Sequence, residues 1–81
     1  MHISPDQCRG ARGLLGIDQA ALASAASVSR NTIVSFESGQ RVPGANNLAA
    51  IQRALEAAGI VFQADGETVA GGPGVRLRKG T

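Results

Sequence analysis

The stretch SRNTIVSFES, residues 29 to 38, gathers the side chains with most to offer a partner. Arginine presents a planar fork of donors that fits phosphate oxygens and the acceptor edge of guanine, and asparagine carries a donor and acceptor pair that fits adenine. Read as a helix with Ile33 and Phe36 turned inward, the stretch leaves Arg30, Asn31, Val34, Ser35 and Ser38 outward, with no acid before Glu37. Such a face suits an anionic, hydrogen-bonding partner. Arg30 at the first helical position also opposes the helix dipole, where stability alone favours an acid.

Bond-making chemistry finds no comparable set. The single histidine, His2, stands near the N-terminus as a solvated residue, and the single cysteine, Cys8, falls on a core-facing position as a small hydrophobe. No nucleophile and base pair and no metal cluster is spelled out. Asp6, Asp18, Glu37 and Glu56 all have helix-terminal or helix-face explanations, so no acid and base pair is left over. Gly71-Gly72-Pro73-Gly74 lacks the lysine and hydroxyl of a phosphate loop and reads as turn chemistry. No enzymatic activity, cofactor or metal is expected.

The elements that would position the 29 to 38 stretch are marked by a repeated start signal. Ile3-Ser4 with Cys8, Ile17-Asp18 with Leu22, and Val28-Ser29 with Ile33 each set a capping side chain between two apolar residues that can close across a first helical turn. Helices are expected to begin near residues 5, 19 and 30. Pro5 and Gln7 strengthen the first start, with Gln7 completing a capping box with Ser4. Gly16 and Gly39 stand where left-handed closing residues are needed. Residues 47 to 58 carry Leu48, Ile51, Leu55 and Ala58 as the apolar stripe of a fourth helix ended by Gly59. Beyond it, IVFQ is β-prone, ADGETVAGGPG is rich in turn residues, and VRLRK alternates with period two, which predicts two short strands joined by a long loop.

A length of 81 residues bounds the chain to one small domain and leaves no room for a second, catalytic one. Hydrophobic residues at 43% and charged residues at 17% exclude a disordered polar chain, and no apolar run reaches the roughly eighteen residues of a membrane span. The opening MHISPDQCRG lacks the basic and apolar regions of an export signal, and one cysteine fits a reducing compartment. The bacterial cytoplasm or nucleoid is the expected location. Lys and Arg total 8 against 6 acids, a net charge of +2, and all the bases but Lys79 are arginine. With Phe 2 and no Trp or Tyr, the stacking platforms of single-strand binders are missing, so any nucleic-acid partner is expected to be duplex DNA.

Two short helices joined only by Ser27, Val28 and Ser29 must cross steeply and leave the first turn of the second projecting, the geometry of a helix-turn-helix. Here QAALASAASVSRNTIVSFESG, residues 19 to 39, resembles the Cro and lambda-repressor family, the xenobiotic-response-element type of regulator. The resemblance rests on Gln19 opening the second helix, on Leu22, Ala23, Ala26, Val28, Ile33 and Phe36 at the apolar and small positions, and on Glu37-Ser38-Gly39 followed by Arg41 and Pro43. It extends from about residue 4 to residue 58. Ser27 departs from it, standing where the family usually has glycine, at a cost of about 1 kcal/mol if left-handed.

The resemblance implies a mainly α, lambda-repressor-like four-helix domain over residues 1 to 59, and the β-prone tail adds a short two-stranded C-terminal β ribbon over 60 to 81. It implies base contacts from Arg30, Asn31, Val34 and Ser35, with Arg30 suited to guanine and Asn31 to adenine or a phosphate. Phosphate contacts fall to Gln19, Ser29, Thr32, Gln40, Arg41, Asn46 and Asn47. It also implies a structural ion pair between Arg12 and Glu37 that keeps the acid away from DNA. The expected partner is double-stranded DNA with an inverted-repeat operator, bound by a homodimer that regulates transcription. Ile60 and Phe62 form one alternating set and Val75 and Leu77 another, helix 4 covers one ribbon face, and an open strand edge pairs with a second copy. A ribbon capping a monomer, with Arg76, Arg78 and Lys79 solvated, is the alternative arrangement. The alternative functions are an antitoxin whose tail grips a toxin, and a protein-interaction module of the same fold.

Overall fold

The first three helix starts are each closed by their own side-chain cap. The computed structural model describes residues 2–63 and 74–77, and its elements are α1 (Pro5–Leu15), α2 (Gln19–Ala26), α3 (Arg30–Glu37), α4 (Ala45–Ala57), β1 (Ile60–Gln63) and β2 (Gly74–Leu77). Ser4 Oγ accepts from the Gln7 amide at 3.1 Å while Gln7 Oε1 accepts from the Ser4 amide at 2.9 Å, a reciprocal capping box. Asp18 accepts from the Ala21 amide at 2.8 Å and Ser29 from the Thr32 amide at 3.1 Å. Ile3, Cys8, Leu22 and Ile33 beside these caps are buried in one core, with Ile17 and Val28 packed against it.

The turns between helices use left-handed residues. Gly16 has φ 69° and Gly39 φ 80°, open to glycine without strain. Ser27 does the same work at φ 58° with a side chain, so the strain attached to it is present. The Val28 amide donates to the Ala23 carbonyl at 3.0 Å, which closes the end of α2 and turns the chain directly into the Ser29 cap of α3.

Helix α4 differs from the sequence reading at both ends. It begins at Ala45 rather than Asn47, because the Leu48 amide already donates to the Gly44 carbonyl at 2.9 Å. Ala45, Asn46 and Asn47 ahead of Leu48 carry no apolar period to show this. Ala58, expected on the buried stripe, is exposed: the helix stops at Ala57 and Gly59, at φ 108°, swings the chain so that Ile60 enters the core instead. Leu48, Ile51 and Leu55 are buried, with Ala54 packed beside them.

The strands pair antiparallel, with Ile60 opposite Leu77 and Phe62 opposite Val75. These four side chains therefore share one face, instead of forming two separate sets. That face is covered by two helices, α4 against β1 and α1 against β2, rather than by α4 alone, except at Leu77, which stays exposed. Gln7 Nε2 donates to the Gly74 carbonyl at 3.2 Å. The approach of α1 to β2 is close enough that a Cβ on Gly10 would lie 3.2 Å from Val75 Cγ2. Glycine at position 10 admits the strand. The loop expected around Gly71-Gly72-Pro73, and Arg78 and Lys79, lie outside the described residues. The whole is a mainly α domain of four helices with a short two-stranded sheet at its C-terminal end. Among the described residues, no helix is long and apolar enough to cross a membrane.

Candidate nucleic-acid interface

Helix α3 is divided lengthwise. Ile33, Phe36 and Glu37 are buried against the core, while Asn31 is exposed and Ser35 half-buried on the opposite side, with Val34 half-buried at its flank; Arg30, two turns before Glu37 and in line with it, is exposed because it opens the first turn. Among the described residues, the side chains of Arg30 and Asn31 have no hydrogen-bond partner, so their donors face outward uncommitted.

The inward acid is held from two other helices, α1 and α2. Arg12 of α1 grips the Glu37 carboxylate with both edges of its guanidinium, Nε to Oε2 at 2.8 Å and Nη2 to Oε1 at 2.7 Å. Cys8 Sγ donates to Oε2 at 3.1 Å and Gln19 Nε2 of α2 donates to Oε1 at 3.1 Å. Arg9 adds a hydrogen bond to the Glu37 main-chain carbonyl and pairs with Asp6. Burial pushes the Glu37 pKa up, but the hydrogen bonds from Arg12, Cys8 and Gln19 and the Arg12 charge outweigh it and hold the group below its ordinary 4.5. The hydrogen bond to Glu37 raises the Arg12 pKa in return, against burial. Burial, followed by the hydrogen bond and negative charge of Glu37, pushes the Cys8 thiol well above its ordinary value, so it stays protonated and donates.

The other candidate residues surround α3. Ser29 and Thr32 share their hydroxyls at 2.8 Å, which leaves the pair one hydroxyl hydrogen to offer outward. Gln19, assigned to a phosphate by resemblance, has turned its Nε2 onto Glu37 and retains a second Nε2 hydrogen. Gln40 and Arg41 are exposed on the loop after α3, and that loop is tied down at the Ser35 carbonyl, which accepts from their amides at 3.0 and 3.3 Å. Asn46 and Asn47 are exposed in the first turn of α4. A recess of about 180 Å³ brings together Asn31, Thr32 and Ser35 of α3, Arg41, Val42, Pro43 and Gly44 of the loop, and Asn47 of α4. Gln19, Ser29, Arg30, Val34, Gln40 and Asn46 lie outside its lining.

Sequence reasoning missed the donors that complete the Glu37 site. Cys8 and Arg12 are four residues apart and therefore lie on one face of α1, a spacing that points both at the same partner. Gln19 gave no such signal, since its approach to Glu37 depends on how α2 crosses α3.

Two short helices joined by a three-residue turn, the second exposing an acid-free polar face, define a small helix-turn-helix regulator. The family model described as Helix-turn-helix matches residues 9–57, from within α1 to the end of α4. The chain belongs to this family of DNA-binding regulators, of the Cro/C1 and xenobiotic-response-element type, as the resemblance in residues 19 to 39 implied. No curated protein matches the chain.

Proposed function

We propose that the chain is a sequence-specific regulator of transcription that lays α3 in the major groove of duplex DNA. The observation that carries this is the division of α3: its one carboxylate is buried at 3% exposure and neutralised by Arg12, while Arg30 and Asn31 point outward. An anionic duplex meets donors and no acid. Arg30, Asn31, Val34 and Ser35 read base edges, and Gln19, Ser29, Thr32, Gln40, Arg41, Asn46 and Asn47 hold the phosphate backbone on either side.

The chain acts as a homodimer on an inverted repeat, with half-sites about one helical turn, roughly 10 base pairs, or a multiple of it apart. The segment 60 to 81 supplies the contact between copies. Since α1 and α4 cover one face of the ribbon, a second copy has a strand edge and the outer face to meet.

Selection from random duplex sequence, followed by affinity measurements across salt, tests the reading. An enriched inverted repeat, bound with affinity that falls steeply as salt rises, is expected. Failure to enrich any motif at moderate salt would overturn it. Sedimentation with full and half operators tests the dimer, which requires a full site to hold two chains.

A further inference from the structure

Val42 is the most exposed large apolar side chain among the described residues, at 76%. Its loop is fastened to α3 by the Gln40 and Arg41 amides on the Ser35 carbonyl, so the valine is presented by a tethered loop. It shares the recess with Asn31 and Ser35, which offer donors from α3, and with Arg41 and Asn47 toward α4. Hydrogen-bond donors thus stand beside an apolar surface in one concavity. Of the four bases, only thymine sets an acceptor, O4, next to a methyl group in the major groove; guanine shows two acceptors, adenine an acceptor and a donor, and cytosine a donor.

We infer that Val42 is a specificity-determining residue that meets the C5-methyl group of a thymine while Asn31 or Ser35 donates to O4 of the same base. This rests on the DNA-binding reading above and adds to it a residue from outside α3. The loop follows the helix into the groove margin, and the valine gives it a preference that Arg41 beside it, a phosphate ligand, does not supply.

The test replaces each thymine of the selected operator in turn by deoxyuridine, which removes the methyl group and leaves O4 in place. Wild type and Val42→Ala are titrated with every duplex, and Val42→Ile serves as a variant that keeps an apolar contact. At one thymine per half-site, deoxyuridine should weaken wild type about fourfold, the worth of burying one methyl group. At that position the penalty should vanish in Val42→Ala and persist in Val42→Ile. Deoxyuridine penalties that are the same for wild type and Val42→Ala at every position would overturn the inference. So would a Val42→Ala loss equal on operator and scrambled DNA, or a loss that tracks weaker self-association, which would make Val42 a contact between copies. If wild type selects no operator, the DNA-binding reading itself fails and the inference falls with it, a result distinct from equal penalties on an operator that is bound.

Discussion

The two sides of α3 treat polar groups in opposite ways. On the inner side, the Glu37 carboxylate takes four hydrogen bonds from Cys8, Arg12 and Gln19. Nearly two turns away, in the exposed first turn of the helix, Arg30 and Asn31 have no hydrogen-bond partner among the described residues. A buried carboxylate without donors would cost several kcal/mol, so the inner side must be satisfied before the helix can dock at all. Water satisfies the outer side, and its donors are spent on nothing that holds the fold together. A helix of eight residues (Arg30–Glu37) thus keeps its structural chemistry in its buried last turn and its recognition chemistry in its exposed first turn and along its outer side. Substitutions in the two regions should therefore be separable in the laboratory.

The sharpest way to break this comparison is Arg12→Ala. It leaves Glu37 buried with only Cys8 and Gln19, and should lower stability by about 3–5 kcal/mol in chemical denaturation, enough to threaten a domain of this size. Because the Glu37 pKa is depressed in the fold, the stability it contributes is fully present above pH 4.5 and is lost as pH falls through its lower folded value. The difference between wild type and Arg12→Ala should shrink below pH 4.5. A gap that stays constant to lower pH would remove the carboxylate as its cause.

On the outer face, Arg30→Ala and Asn31→Ala should each cost about 1–3 kcal/mol in binding to the selected operator and relax preference at one or two base pairs. Folding should not suffer. Arg30→Ala should even gain a few tenths of a kcal/mol, since a cation is removed from the positive end of the helix. Equal losses on operator and scrambled DNA would reduce Arg30 to a phosphate clamp.

Cys8→Ala should cost about 1–2 kcal/mol of stability, from one lost donor and a small cavity, with no change in base preference. Cys8→Ser keeps a donor toward Glu37 and should lose less. If serine is as damaging as alanine, packing of the sulfur rather than donation to the carboxylate explains the residue. The smallest effect is expected at Ser27→Gly, which relieves the left-handed strain at φ 58° and should raise stability by roughly 0.5 kcal/mol after the added chain entropy of glycine is offset. Melting should rise while operator affinity stays constant; a changed affinity would show that the turn sets the angle of α3 on DNA.

Much of the fold was legible because its signals are local. A cap and its acceptor lie within one turn, so Ser4, Asp18 and Ser29 announce helices α1, α2 and α3 without reference to the rest of the chain. The start of α4 lies two residues ahead of its sequence signal because Gly44 opens it without a side-chain cap and the residues up to Leu48 carry no apolar period. The exposed half of α3 was equally legible, since Ile33 and Phe36 set its inward side and the remaining positions follow from 3.6 residues per turn.

What the sequence determined by itself is what depends on neighbours within a turn or two: four helices, two β-prone strands, a three-residue turn and an outward row of donors without an acid. The tertiary structure alone decided which distant groups meet. The Cys8 and Gln19 donors on Glu37 join residues 29 and 18 positions apart. The cover of β2 by α1, and the gathering of Val42 with Asn31 and Ser35 in one recess, likewise depend on how elements cross. Crossing angles come from the packing of whole apolar faces, summed over the core, and no single stretch of sequence carries that sum.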